Sequence, residues 1–225
     1  MTAIPFPRLV LFDLDGTLLD SAPDMLATVN RMRATRGQGP MPLADLRPHV
    51  SKGSRAMSAA AFPELGGEVP GEMIREFLDV YEEELGRNSA PFAGVDALLH
   101  AIEGAGARWG IVTNKPEYLA RQVLPKLGWD TRSAILIGGD TLPQRKPHPL
   151  PLLHSAEQLG VAIDDCVYVG DDQRDIDAAR AAGMRSVVAL WGYRVEQDDP
   201  AHWGGDVLVD AVEGLLAPEL WAALK

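Results

Sequence analysis

Two aspartates separated by one residue follow a short apolar run near the start of the chain. Residues 9–12 are four consecutive apolar residues, as in a fully buried strand, and Asp13 and Asp15 come next. Because side chains alternate along a strand, the two carboxylates point the same way and share one site. Gly16 then breaks the strand, and open parallel sheets bind their ligands at this carboxyl end.

Two acids this close repel each other, at a cost on the order of 4 kcal/mol for ~4 Å separation and an effective dielectric near 20. A hard divalent cation, held by a few carboxylates, water and a phosphate oxygen, would compensate them, and this donor set indicates Mg2+. A turn at the end of a strand with a spare acid fits the spacing equally well.

Two later stretches place polar residues where an apolar strand is expected to end. Thr113 could donate its hydroxyl to a phosphoryl oxygen, and the Asn114 N–H lies near a helix start, although both types are also common helix caps. Lys146 precedes Pro147 in a stiff loop and could neutralise an aspartate and a phosphoryl oxygen together. The alternative is a solvated loop lysine.

Three acids over five residues follow the strand predicted at 167–170. They would repel one another and Asp13 unless a cation lies among them, and we assign Asp171 as the metal ligand. Asp175 falls in the first turn of a helix, where an acid is favoured in any case. Three roles are possible for Asp172: a metal contact, a contact to metal-bound water or a structural hydrogen bond.

These motifs, in this order, resemble those of the haloacid dehalogenase-like (HAD) hydrolases; they are Asp-Leu-Asp-Gly-Thr-Leu at 13–18, Thr-Asn at 113–114, Lys-Pro-His-Pro at 146–149 and Gly-Asp-Asp at 170–172. The resemblance implies a phosphate monoester hydrolase that forms an aspartyl-phosphate. It implies these roles: nucleophile Asp13, general acid/base Asp15, phosphoryl-orienting Thr113, charge-neutralising Lys146, and Mg2+ held by the Asp13 carboxylate, the Asp15 backbone carbonyl and Asp171. The acid two places after the nucleophile fits phosphatases and mutases and argues against dehalogenases.

Within this family the chain looks most like the phosphoglycolate phosphatases, whose substrate pairs a phosphate with a carboxylate. The loop at 51–57 and the tail at 191–206 are also similar to bacterial N-acetylmuramic acid 6-phosphate phosphatases, whose substrate carries a carboxylate too. We therefore expect a phosphoglycolate phosphatase-type enzyme, with the latter activity or a sugar phosphomutase as alternatives. A catalytically silent binding protein would be expected to lack the nucleophile or the lysine, and both are present.

The loop at 51–57, which we call the cap loop, is expected to select the substrate. Lys52 or Arg55 could bind a carboxylate or hydroxyls beside the phosphate, although a solvated basic loop on an acidic protein is an equal alternative. The predicted substrate-binding residues are Thr17, Asn114, Lys52, Gly53 and Arg55.

The order of predicted elements indicates how these residues are positioned. Helices are expected at 21–33, 55–62 and 73–85 with no strand between them, and strands and helices alternate from 94 onward, including a strand at 134–138 and a last helix at 211–223. This order predicts an α/β fold with a Rossmann-like parallel sheet core, helices on both faces and an inserted α-helical cap domain. The core would be 1–20 and 89–225, and the cap 21–88.

Composition excludes several classes of function. The net charge of -11 over 225 residues argues against a nucleic-acid partner, and no apolar run reaches membrane-spanning length. Residues 1–8 lack a secretory signal, so a cytoplasmic location is expected. The single cysteine, Cys166, excludes an internal disulfide. The expected partner is a small phosphate ester, and the chain is expected to be a monomer or homodimer.

Overall fold

The strand before the first acidic pair lies at the centre of a parallel sheet. The computed structural model describes residues 4–224, so residues 1–3 and 225 of the predicted core lie outside the described residues. Within 4–224 the main sheet has six strands in the order β5-β4-β1-β6-β7-β8. The strands of this sheet are β1 Leu9–Phe12, β4 Arg108–Val112, β5 Leu136–Ile137, β6 Cys166–Gly170, β7 Arg185–Ala189 and β8 Val207–Val209.

Helices cover both faces of this sheet. The core helices are α5 Val95–Gly104, α6 Glu117–Leu127, α7 Leu150–Leu159, α8 Gln173–Ala182 and α9 Pro218–Ala223. All residues of β1 are buried; Val10 and Phe12 join an apolar cluster with α5, α6 and α9, whereas Leu9 and Leu11 join another with α7 and α8. Alternation along the strand thus produces two cores, which confirms the predicted α/β fold.

A helical cap region precedes most of the sheet. Its helices are α1 Ala22–Thr35, α2 Leu43–Leu46, α3 Ser54–Ala61 and α4 Gly71–Glu84. The apolar stripe predicted on α4 is buried at Met73, Phe77 and Tyr81. No α-helix in the described part of the chain is long and apolar enough to cross a membrane. The exact domain division at 20/21 and 88/89 stays a prediction.

Two short strands that the sequence analysis missed join the ends of the cap region. Strand β2, Leu19–Asp20, pairs antiparallel with β3, Ala90–Pro91. Each has two residues, too few for a periodic pattern to be visible in the sequence. The chain therefore enters and leaves the cap region at one place.

Two predicted elements differ from the structure. The helix expected at 211–223 is a 3-10 turn, Val212–Leu216, followed by α9, because Pro218 has no N–H to continue a helix across that point. The strand expected at 134–138 is the two-residue edge strand β5, which pairs with β4 alone.

A buried carboxylate fixes the exit of the cap region. Asp24 in α1 is fully buried and accepts hydrogen bonds from the backbone N–H of Gly86 at 2.7 Å and of Asn88 at 2.6 Å, and from the Ser89 hydroxyl. These donors belong to the segment between α4 and β3. Helix α1, the first of the cap region, thereby binds the segment through which the chain leaves that region.

We predict that Asp24→Ala lowers the free energy of unfolding by about 2–4 kcal/mol, because three donors lose a charged acceptor. Urea denaturation followed by far-UV circular dichroism measures this. The exposed Asp130→Ala is the control, with an expected change within about 0.5 kcal/mol. Equal changes in the two variants would contradict the assigned role of Asp24.

Candidate active site

Neighbouring strands bring the predicted residues to one edge of the sheet. Asp13, Thr113 and Asp171 directly follow β1, β4 and β6, and β1 lies between the other two strands. All three residues are buried, with exposed fractions of 9%, 3% and 0%. The Thr113 hydroxyl accepts a hydrogen bond from the Lys115 N–H at 3.2 Å. The carboxyl ends of parallel strands thus collect residues that are far apart in sequence.

Lys146 lies between two carboxylates. Its ammonium is 3.1 Å from Asp13 Oδ1 and 2.6 Å from Asp175 Oδ1, and it donates to the Tyr168 hydroxyl at 2.7 Å. Burial alone would lower the pKa of Lys146, but the charges of Asp13 and Asp175 outweigh it and the pKa is raised. The Asn114 amide also donates to the Lys146 carbonyl at 2.9 Å, so this loop is held from the β4 side.

Asp171 is enclosed on every side. Its carboxylate accepts hydrogen bonds from Thr17 Oγ1 at 3.1 Å, Ser51 Oγ at 2.7 Å and the Tyr193 N–H at 2.9 Å. Burial, and then the charges of Asp13 and Asp175, hold the pKa of Asp171 well above its ordinary value. No ion pair to Asp171 is formed within residues 4–224, so its ionised form has no compensating positive charge there.

Asp13, Asp171 and Asp175 form a donor set that fits a divalent cation. One carboxylate oxygen of each lies within 4.8 Å of the others. Burial also raises the pKa of Asp175 to about 6, in spite of the nearby charge of Lys146. Among residues 4–224, three clustered carboxylates face the one ammonium of Lys146, which leaves two negative charges that a divalent cation would neutralise.

This set contains Asp13 and Asp171 of the predicted ligands and adds Asp175. The predicted contact through the Asp15 backbone carbonyl stays a prediction, and the Asp15 side chain contacts Lys115. Asp175 also accepts a hydrogen bond from the Asp172 N–H at 3.0 Å, which confirms the helix-capping alternative for this residue.

Asp172 has a structural hydrogen bond, which was one of its three alternatives. It caps α8 and forms ion pairs with Arg174 at 2.7 Å and Lys52 at 2.9 Å. Burial alone would raise the pKa of Asp172, but the hydrogen bonds from Arg174 and Lys52 lower it. Lys52 also pairs with Asp198 at 2.9 Å, so the cap loop is attached to the core by this lysine.

A cavity of about 400 Å³ lies between the cap region and the core. Polar residues of the core on its wall include Asp13, Asp15, Thr113, Asn114, Lys115 and Lys146. Apolar residues on its wall include Met25, Val50, Met57, Ile74, Phe77 and Leu119. The cavity therefore has a charged side at the strand ends and an apolar side under the cap.

The predicted substrate-binding residues are distributed unequally around this cavity. Asn114, Lys52, Gly53 and Arg55 line it, and Arg55 also donates to the Val69 carbonyl at 2.7 Å. Thr17 is fully buried with its hydroxyl on Asp171 and is not part of the cavity wall. The substrate contacts of all five residues stay predictions.

Sequence reasoning missed Lys115. Its ammonium lies 3.2 Å from both carboxylate oxygens of Asp15 and 2.5 Å from the Tyr81 hydroxyl, and the residue is only 7% exposed. The available signal was its position directly after Thr113 and Asn114 at a strand end. Lysine is mostly exposed in proteins, so that signal alone does not indicate burial.

Comparisons with known proteins agree on one family. Residues 10–189 match the family model described as haloacid dehalogenase-like hydrolase. A phosphoglycolate phosphatase from Xylella fastidiosa strain Temecula1 is 61% identical over 96% of this chain and 94% of its own. An N-acetylmuramic acid 6-phosphate phosphatase from Pseudomonas aeruginosa is 45% identical over 90% of each chain. The crystal structure of a predicted phosphoglycolate phosphatase from Haemophilus somnus superposes with a TM-score of 0.80 at 28% identity, and covers 96% of this chain and 98% of that one.

We predict that a divalent cation stabilises the protein through the acidic cluster. At a cation concentration 100 times the Kd, the melting temperature should rise by about 5–10 °C for a chain of this size. Asp171→Asn should lose most of this rise, whereas the exposed Asp130→Asn should keep it. Differential scanning fluorimetry with and without EDTA measures the effect, and an undiminished rise in Asp171→Asn would show that the cation binds elsewhere.

Proposed function

This chain belongs to the haloacid dehalogenase-like hydrolases, and from that premise we propose that it is a Mg2+-dependent phosphatase of 2-phosphoglycolate. The observation that carries the proposal is the arrangement on the cavity wall, where Asp13 lines the cavity, lies 3.1 Å from the Lys146 ammonium and belongs to the acidic cluster. Two relatives with this name are 61% and 62% identical over 96% of the chain.

Asp13 is the nucleophile in this proposal. Its carboxylate oxygen forms a bond to phosphorus, the bond from phosphorus to the ester oxygen breaks, and an aspartyl-phosphate results. Lys146 neutralises charge on Asp13 and on the phosphoryl oxygens, and the Thr113 hydroxyl orients the phosphoryl group. The Leu14 N–H, which donates to Asp13 Oδ1 at 2.7 Å, restrains the carboxylate during the attack.

Asp15 handles the proton in both steps. It donates a proton to the departing alkoxide, and then removes one from the water that attacks the aspartyl-phosphate. Phosphate leaves and the Asp13 carboxylate is restored. The position of Asp15 on the cavity wall, two residues from Asp13, supports this role.

The residues proposed to hold the metal are Asp13, Asp171 and the Asp15 backbone carbonyl, with Asp175 beside them. Mg2+ held by these residues would supply positive charge near the phosphoryl oxygens and would help to orient the ester. The carboxylates of the chain contribute the fixed oxygen positions that such a hard cation requires.

The substrate carboxylate has a cationic partner on the cap side of the cavity. Lys52 is already paired with Asp172 and Asp198, and those hydrogen bonds raise its pKa in spite of its burial. Arg55, which lies on the cavity wall and is exposed, forms no such ion pair in the described residues. We therefore assign the carboxylate of 2-phosphoglycolate to Arg55 rather than Lys52.

N-acetylmuramic acid 6-phosphate is the second candidate substrate, and the volume and the apolar side of the cavity support it. A cavity of about 400 Å³ with an apolar side leaves room for more than a two-carbon acid, since pockets of roughly 300–1,000 Å³ hold drug-sized ligands. The 45% identity to a phosphatase named for this substrate supports the same alternative.

We predict Mg2+-dependent phosphate release from 2-phosphoglycolate by the wild-type protein. Asp13→Asn should reduce the release to background because the nucleophile is lost, and Asp15→Asn should lower kcat/KM by about 10²–10⁴-fold because proton transfer is lost. A colorimetric phosphate assay measures both, with N-acetylmuramic acid 6-phosphate tested in parallel.

A comparison of kcat/KM for the two esters distinguishes between the two candidate functions. A kcat/KM higher for the sugar phosphate than for 2-phosphoglycolate would replace the first candidate with the second. Release that persists in Asp13→Asn would contradict the proposed nucleophile with either substrate.

A further inference from the structure

Lys115 connects the cap region to the side chain proposed as general acid/base. It belongs to the loop between β4 and α6, and its ammonium is equidistant, at 3.2 Å, from the two carboxylate oxygens of Asp15. The same ammonium donates to the hydroxyl of Tyr81 on α4 at 2.5 Å and lies 4.4 Å from the centre of the Tyr81 ring. One buried cation therefore contacts both bodies that enclose the cavity.

The surroundings of Lys115 make this contact difficult to replace. The side chain is 3% exposed, so its charge requires a compensating partner, and Asp15 is the acid within ion-pair distance among the described residues. Tyr81 adds a hydroxyl oxygen and an aromatic face, both of which favour an ammonium. Tyr81 itself is 1% exposed and packs in the apolar cluster of the cap region, so its hydroxyl is fixed.

The two core lysines on the cavity wall contact different aspartates. Lys146 contacts Asp13 and Asp175, whereas Lys115 contacts Asp15 and no other acid in the described residues. A symmetric contact to both oxygens restricts rotation of the Asp15 carboxylate about its own axis. Orientation matters here because a proton transfer requires a heavy-atom separation of about 2.6–3.2 Å from the ester oxygen.

We infer that Lys115 is a positioning residue that orients Asp15 for proton transfer, and that Tyr81 makes this orientation depend on the cap region. The inference rests on the proposed function, since it assumes the acid/base role of Asp15. Lys115 contacts Asp15 and the cap region, whereas in the proposed mechanism Asp13 attacks the phosphorus. Its removal should therefore affect the steps in which a proton moves and spare those in which none moves.

Two phosphate esters separate these steps. The alkoxide released from 2-phosphoglycolate must gain a proton as the ester bond breaks, whereas p-nitrophenolate is stable and leaves without one. Because kcat/KM reports the reaction up to the first irreversible step, it includes proton donation by Asp15 for the first ester only. Removal of a proton from water follows later and is common to both esters.

The test compares Lys115→Met and Tyr81→Phe with wild type, on both esters with Mg2+. Lys115→Met should lower kcat/KM for 2-phosphoglycolate by about 10²-fold, the lower end of what general acid catalysis contributes. For p-nitrophenyl phosphate, kcat and KM should fall together and kcat/KM should change less than about threefold, because only the later water step is slowed. Tyr81→Phe should show the same pattern with a smaller loss.

Lys126→Met is the matched control. Lys126 also crosses from the core to the cap region, where its ammonium donates to the Leu85 carbonyl, but it does not contact Asp15. Its loss should leave the ratio of the two kcat/KM values unchanged. An equal loss of kcat/KM for both esters in Lys115→Met, or a raised KM at constant kcat, would overturn the inference in favour of a structural or phosphate-binding role.

A crystal structure of Lys115→Met provides a readout that does not depend on the substrate. The Asp15 carboxylate is expected to adopt another rotamer, or several, once its partner is removed. An Asp15 that keeps its position would overturn the inference, even if 2-phosphoglycolate proves not to be a substrate. Inactivity of wild type towards 2-phosphoglycolate, with Asp15 displaced in the variant, would contradict the proposed function alone.

Discussion

Three buried carboxylates, two of which contact the same ammonium, constrain the rest of this structure. Asp13, Asp171 and Asp175 come within 4.8 Å of one another, where a pair of charges costs on the order of 4 kcal/mol at an effective dielectric near 20. The pKa of Asp171 and of Asp175 is raised, chiefly by burial, so burial adds to this cost when either carboxyl ionises in the folded chain. Folding tolerates it because hydrogen bonds from the backbone, Thr17 and Lys146 hold each carboxylate in place. A site built this way gains most from a ligand that brings positive charge.

The backbone permits this crowding at two glycines. Gly16 has φ +88°, and a Cβ there would lie 2.2 Å from Asp171 Oδ2. A Cβ on Gly192 would lie 2.2 Å from Asp171 Cβ. Any side chain at either position would displace the carboxylate from the cluster. The glycine after the first acidic pair therefore does more than end a strand, because it also makes room for an acid that is 155 residues further along the chain.

Sequence patterns predicted the elements that local periodicity determines. They did not predict the side-chain contacts between residues that are far apart in the chain. Apolar runs that end in polar residues located β1, β4 and β6, and the strand geometry then placed Asp13, Thr113 and Asp171 together. The partners of Lys52, which lie 120 and 146 residues away, have no signal in its own loop. The same holds for the burial of Lys115. These contacts depend on how the cap region packs on the core, which no local pattern encodes.

Asp13 and Asp15 show how a fold gives different surroundings to two identical side chains. Both residues follow β1 and lie on the cavity wall, so the strand itself does not account for their difference. The difference comes from the residues that surround each carboxylate. Asp13 lies among acids and beside Lys146, whereas Asp15 contacts Lys115, which in turn contacts Tyr81 of the cap region. Separate cations also keep the two carboxylates from competing for one partner. Because one of those cations also contacts a cap residue, the surroundings of Asp15 include the cap region, whereas Asp13 and Lys146 belong to the core alone.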